Sequence, residues 1–164
     1  MIVLHVEDLA ITRKALKRLL RESEGRVGDH EYVATGIPAA AKQRLRNNEV
    51  KVMILDLNLD NDWAKANRLP SLLKEAVQNP AGWRPPSGFQ AYEIALLAKQ
   101  HQVPFAIMTN YADQLGVEVS QALQGLTKAF QANIAFTKDE AGLEACAGWV
   151  RDLLHIPRQP NPTP

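Results

Sequence analysis

The run VMILDLNLDND, residues 52–62, decides how the chain reads. Four apolar residues at 52–55 lead straight into Asp56, and further acids follow at Asp60 and Asp62. An apolar run this short, bounded by polar residues, fits a strand covered on both faces, the usual state of a parallel sheet. A carboxylate at the end of such a strand is costly unless it has a partner. Asp56 therefore points to chemistry at the carboxyl ends of the strands.

Working outward, strands and helices alternate. Residues 1–6 (MIVLHV) read as a buried strand, and Ile11, Ala15, Leu16, Leu19 and Leu20 give the next segment a helical stripe. EYVATG, 31–36, reads as a second strand. Pro38 suits the first turn of a helix reaching about residue 48. Residues 51–55 make the third strand, 104–108 the fourth and 133–136 the fifth. Helical spacing runs from Gly88 to His101, and a helix is expected within 114–131 despite Gly116 and Gly125. Asp139 and Glu140 open a last helix whose apolar face holds Leu143, Ala147, Val150 and Leu154. Five strands alternating with helices predict an α/β fold, a doubly wound parallel sheet covered on both faces. Right-handed crossovers leave few topologies, of which the flavodoxin-like order 2-1-3-4-5 is the commonest for this count.

In that order strands 1 and 3 flank the switch point, where ligands sit. The strand ends then bring together Glu7 and Asp8, Asp56, Thr109 and Lys138. Each has a plainer explanation when taken alone: Asp8 as a helix cap, Thr109 as a strand-end threonine, Lys138 as a solvated lysine. Together they do not. Three carboxylates in one pocket repel unless a cation joins them, and magnesium (Mg2+) suits an all-oxygen site that keeps several waters. A carboxylate nucleophile beside such an ion, with Lys138 and Thr109 to hold equatorial oxygens, is what phosphoryl transfer to Asp56 requires.

At these residues the chain resembles the receiver domains of two-component response regulators. IVLHVED is similar to that family's first strand and acid pair, VMILDLNL to the strand bearing its phospho-acceptor, AIMTN to the strand ending in its switch threonine, and AFTK to the strand ending in its lysine. The resemblance implies that Asp56 accepts a phosphoryl group from a histidine kinase or phosphotransfer protein. It implies Mg2+ bound by Asp8, Asp56 and the Asn58 backbone carbonyl, with Glu7 acting through water, and Thr109 and Lys138 on the phosphoryl oxygens. It further implies a signalling protein, not an enzyme, with output through a downstream protein partner and self-association into a homodimer as one form of it.

Four departures from the family pattern stand out. Lys138 is followed by Asp139 where a proline is usual, which puts another acid near the site and is expected to loosen Lys138. Asn110 replaces the usual small residue after the threonine. Ala135 falls where a switch aromatic is expected, and Phe136, one residue on, belongs to the other face of the sheet. Residues 60–87 form an insertion, long for a loop, between Asp56 and Gly88, the glycine that matches the opening of the family's third helix. It carries Trp63, Trp83 and four prolines, with a short helix expected at 71–78. It reads either as a compact loop packing its own tryptophans or as a lid or docking surface beside Asp56.

Composition bounds the rest. The 164 residues make one domain, 1–155, with a proline-rich tail, 156–164, expected to be disordered. A net charge of +1 gives no electrostatic case for nucleic acid or an anionic membrane. One cysteine, no signal-like start and no transmembrane-length apolar run fit a cytoplasmic, stand-alone domain. The basic run Arg13, Lys14, Lys17, Arg18 and Arg21 is expected on the exposed face of the first helix, as a solvated face or as a docking surface for an acidic partner. Two alternatives accompany the switch reading. One is a pseudo-receiver, an interaction module working without phosphate. The other is a phosphotransferase or phosphatase of the haloacid dehalogenase type, weakened by Asn58 standing where that chemistry needs its second acid.

Overall fold

The computed structural model describes residues 1–20 and 26–156; Arg21 and the tail 157–164 lie outside the described residues. Strands β1 (Ile2–Val6), β3 (His30–Thr35), β4 (Val50–Asp56), β5 (Phe105–Thr109) and β6 (Ile134–Thr137) form a parallel sheet in the spatial order β3-β1-β4-β5-β6. This is the flavodoxin-like 2-1-3-4-5 order. The sheet has one addition, a two-residue strand β2 (Arg26–Val27) that pairs antiparallel with β3 at the edge. Two residues are too few to leave a periodic signal in the sequence.

Helices cover both faces. α1 (Ala10–Leu20) and α7 (Glu140–Leu153) pack on one face, over Val3, Val52, Ile54 and Met108. α2 (Pro38–Arg46), α5 (Gln90–Gln100) and α6 (Val119–Phe130) pack on the other, over Leu4, Met53, Leu55, Phe105 and Ile107. Every residue of β1 and β5 is buried, as a doubly covered strand must be. In α1 the buried line is Thr12, Leu16 and Leu20, while Ile11 is 78% exposed. The expected stripe is thus corrected at its start, because the i, i+4, i+8 line through Leu16 takes in Thr12. Lys14 and Arg18 are exposed and Arg13 and Lys17 half-buried. No helix among the described residues is long and apolar enough to cross a membrane.

The insertion is not a loop. It holds α3 (Asn61–Ala66), capped by Asp60, whose carboxylate accepts from the Trp63 amide, and α4 (Leu69–Gln78). Leu69, Leu72, Leu73 and Ala76 of α4 are buried at i, i+3, i+4, i+7 spacing, and α4 lies along α6. Gly125 makes that approach possible: a Cβ there would meet the Val77 backbone and side chain at 3.0 Å. This accounts for a glycine in mid-helix, where propensity argues against it. Gly116, with φ +76°, precedes α6, between it and a 3-10 turn at Ala112–Gln114. Trp83 is buried against Phe89, Tyr92 and Phe130, and Trp63 stacks on Phe89 at 4.6 Å. The tryptophans pack on the domain, and α4 extends its core.

Candidate functional site

Parallel strands place their carboxyl ends on one edge, and the switch between β1 and β4 opens a cleft there. Asp56 is the last residue of β4, Glu7 and Asp8 follow β1, and Lys138 follows β6. The Lys138 ammonium lies 2.8 Å from Glu7 Oε2 and 2.7 Å from Asp56 Oδ1. All three side chains are almost wholly shielded from solvent, Glu7 at 0% and Asp56 at 3% residue exposure. The second Glu7 oxygen accepts from the Leu9 amide, 3.1 Å away. Glu7 is therefore fully engaged, a brace between Lys138 and the start of α1.

Carboxylate oxygens of Glu7, Asp8 and Asp56 all lie within 4.8 Å of one another. Lys138 reaches two of these acids, and Asp8 has no ion-pair partner among the described residues. Burial, opposed by Lys138 and reinforced by Glu7, pushes the Asp56 carboxyl up to about 7. Burial also works against the Lys138 ammonium, but Asp56 and Glu7 outweigh it and hold its pKa above the ordinary value. The Asn58 backbone amide helps in the other direction by bonding the Asp56 carboxylate.

Above Asp56 is a cavity of about 170 Å³, with room for several waters. Asp8, Leu9, Asp56, Asn58, Asn61, Asn110, Tyr111 and Lys138 line it. Of the expected site residues, Asp8, Asp56, Asn58 and Lys138 are thus brought together around one space, with Glu7 behind Lys138. Thr109 stands apart. It is buried and opens onto a neighbouring recess that shares Asn110 and Lys138, and its Oγ1 accepts from the Tyr111 amide at 3.0 Å. Gly36 lets β3 close up on the acids, since a Cβ there would lie 2.8 Å from the Asp8 Cα.

Asp139 does not loosen Lys138. Its carboxylate turns to cap α7, accepting from the Gly142 amide and from the Thr137 hydroxyl, each at 2.8 Å, and these bonds hold its pKa below the ordinary value. Capping a helix satisfies an otherwise orphaned amide, and that interaction outcompetes the crowded acid site. Ala135 packs with the α5/α6 core and Phe136 with the α1/α7 core, so the two occupy opposite faces. Three residues at the cavity, Leu9, Asn61 and Tyr111, carried no signal of their own in the sequence. Asn61 arrives through the insertion. Tyr111, two residues beyond Thr109, reaches back so that its phenol accepts from Asn58 Nδ2 at 3.1 Å.

Beneath the site, His5 is fully buried on β1, its Nδ1 2.5 Å from the Tyr32 hydroxyl. Burial first, then the charges of Lys138 and Arg13, hold its pKa down to about 3, so the ring is neutral. No protein-family model matches this sequence, and comparison with curated proteins gives no match.

Proposed function

We propose that the chain is a receiver-type signalling switch in which Asp56 accepts a phosphoryl group from a histidine kinase or phosphotransfer protein. The observation that supports it most is the Lys138 ammonium, buried between Asp56 and Glu7 beside the Asp8-lined cavity. In the transfer, an Asp56 carboxylate oxygen attacks phosphorus, the phosphorus–nitrogen bond of the donor breaks, and the imidazole leaves with its electron pair and takes up a proton. Lys138 balances charge on Asp56 and on the incoming oxygens, and the cavity supplies the space for them.

The residues fit a hard divalent cation. Their donors are all oxygens, Lys138 pairs with only two of the three carboxylates, and burial, reinforced by Glu7, raises the Asp56 pKa in the absence of a further cation. Asp8 and Asp56 would hold Mg2+, with the Asn58 carbonyl, and Glu7 would act from behind Lys138. Bound there, the ion supplies charge neutralisation at the phosphoryl oxygens and favours the ionised, nucleophilic form of Asp56. Output runs through a protein partner or a homodimer, in the cytoplasm.

The pseudo-receiver reading is favoured by one observation: Ala135 leaves β6 with no aromatic on the Thr109 side of the sheet. One experiment separates the two. The wild type and Asp56→Asn are incubated with Mg2+ and acetyl phosphate and weighed intact. A gain of one phosphoryl mass in the wild type, absent without metal and absent in the variant, is expected. No gain, with no Mg2+ binding by titration, sinks the switch and leaves the interaction module.

A further inference from the structure

We propose that Tyr111, held by Asn58, supplies the hydroxyl that binds the phosphoryl group on Asp56, in the place where the sequence suggests Thr109. The assignment rests on Asp56 being the phospho-acceptor. Tyr111 lines the cavity over Asp56, whereas Thr109 opens onto the neighbouring recess.

The hydrogen-bond inventory of Tyr111 carries the argument. Its phenol oxygen accepts from Asn58 Nδ2 at 3.1 Å, and its backbone amide donates to Thr109 Oγ1 at 3.0 Å. Ring and backbone are thus fixed from two directions, by the β4 end and the β5 end of the site. A phenol also carries one O–H, and with Asn58 Nδ2 donating to its oxygen this one has no acceptor among the described residues, while Asn58 Oδ1 is likewise buried without a partner. Tyr111 is therefore a donor already positioned at the cavity with its hydrogen unspent. A phosphoryl group on Asp56 brings close to two negative charges and three acceptor oxygens. Lys138 is already shared between two carboxylates, so the outer oxygens need other donors. Among the lining residues the other uncharged polar side chains are amides, Asn58, Asn61 and Asn110, and Tyr111 is the hydroxyl. Thr109 acts as a brace for the tyrosine backbone.

The test follows phosphoryl uptake from acetyl phosphate with Mg2+ by intact mass, alongside the 31P chemical shift of the phosphorylated protein. Tyr111→Phe keeps the ring and removes the hydroxyl. It should slow uptake about tenfold or more, the value of a hydrogen bond to a charged group, and displace the 31P signal. Asn58→Ala should slow uptake as well, and the double variant should be no slower than Tyr111→Phe alone, because both changes remove one interaction. Thr109→Val should have the smaller effect. If Tyr111→Phe does not fold, Tyr111→Leu, which also removes the hydroxyl, is read in the same way. Uptake at the wild-type rate in Tyr111→Phe, with Thr109→Val slowed, overturns the assignment and leaves the phospho-acceptor reading standing. A wild type that takes up no phosphoryl group overturns both.

Discussion

Asp56 and His5 are two buried titrating side chains on adjacent strands, and they respond to pH in opposite ways. For Asp56 the folded pKa, about 7, lies above the ordinary value of 3.8. The folded state binds the proton more tightly, so stability from this group is present below pH 3.8 and is lost as pH rises towards 7. Asp56→Asn removes that loss. In metal-free protein it should be more stable than wild type by about 1–3 kcal/mol at pH 8, with the gap closing near pH 4, measured by urea denaturation. A constant gap would mean that Asp56 is ionised at no cost. For His5 the folded pKa, about 3, lies below 6.5, so its contribution is present above 6.5 and is lost as pH falls towards 3. In the Asp56→Asn background, where the two effects no longer cancel, stability should fall steadily from pH 6.5 to 4. His5→Leu should flatten that fall, read from the same denaturation series.

Among the elements, the pair α4 and α6 is the part that a sequence reading places least well. Periodicity finds much of α4 but says nothing of what its apolar face meets. The meeting point is Gly125 against Val77. Gly125→Val must push the helices apart and should cost about 1–3 kcal/mol, seen as a lowered thermal midpoint and as a change in fluorescence from the nearby tryptophans. An unchanged midpoint would show that α4 can lift away from α6 at no cost. Asp139 teaches the same lesson in reverse. Its neighbour Lys138 suggests an electrostatic conflict, yet its place at the start of α7 gives it a cap to make.

Across the whole molecule, the insertion is part of the fold. Leu69, Leu72, Leu73, Ala76 and Trp83 lie in the same apolar cluster as Phe89, Phe130 and the α5/α6 side of the sheet. Replacing residues 60–87 with a short turn should therefore uncover that cluster. The shortened chain is expected to bind an apolar dye and lose its cooperative thermal transition. A shortened chain that melts cooperatively near the wild-type temperature would make the insertion an appendage. The insertion begins beside Asp56 and contributes Asn61 to the cavity lining, so the same segment serves both the core and the site.

The sequence by itself determined the layered α/β fold, the order of the five parallel strands and the acids and lysine at their ends. Each of these is written in local patterns: continuous apolar runs for doubly covered strands, a period of 3.6 for helices, and charges immediately after a strand. The tertiary structure alone decided which of those groups meet. Lys138 joins Glu7 to Asp56, Asp139 leaves the site to cap α7, Thr109 opens onto its own recess, and Tyr111 and Asn61 reach the cavity from segments with no motif. Such pairings depend on the reach and direction of side chains across strands distant in sequence, and on competition between partners for one hydrogen bond. No periodicity in a single chain records that competition.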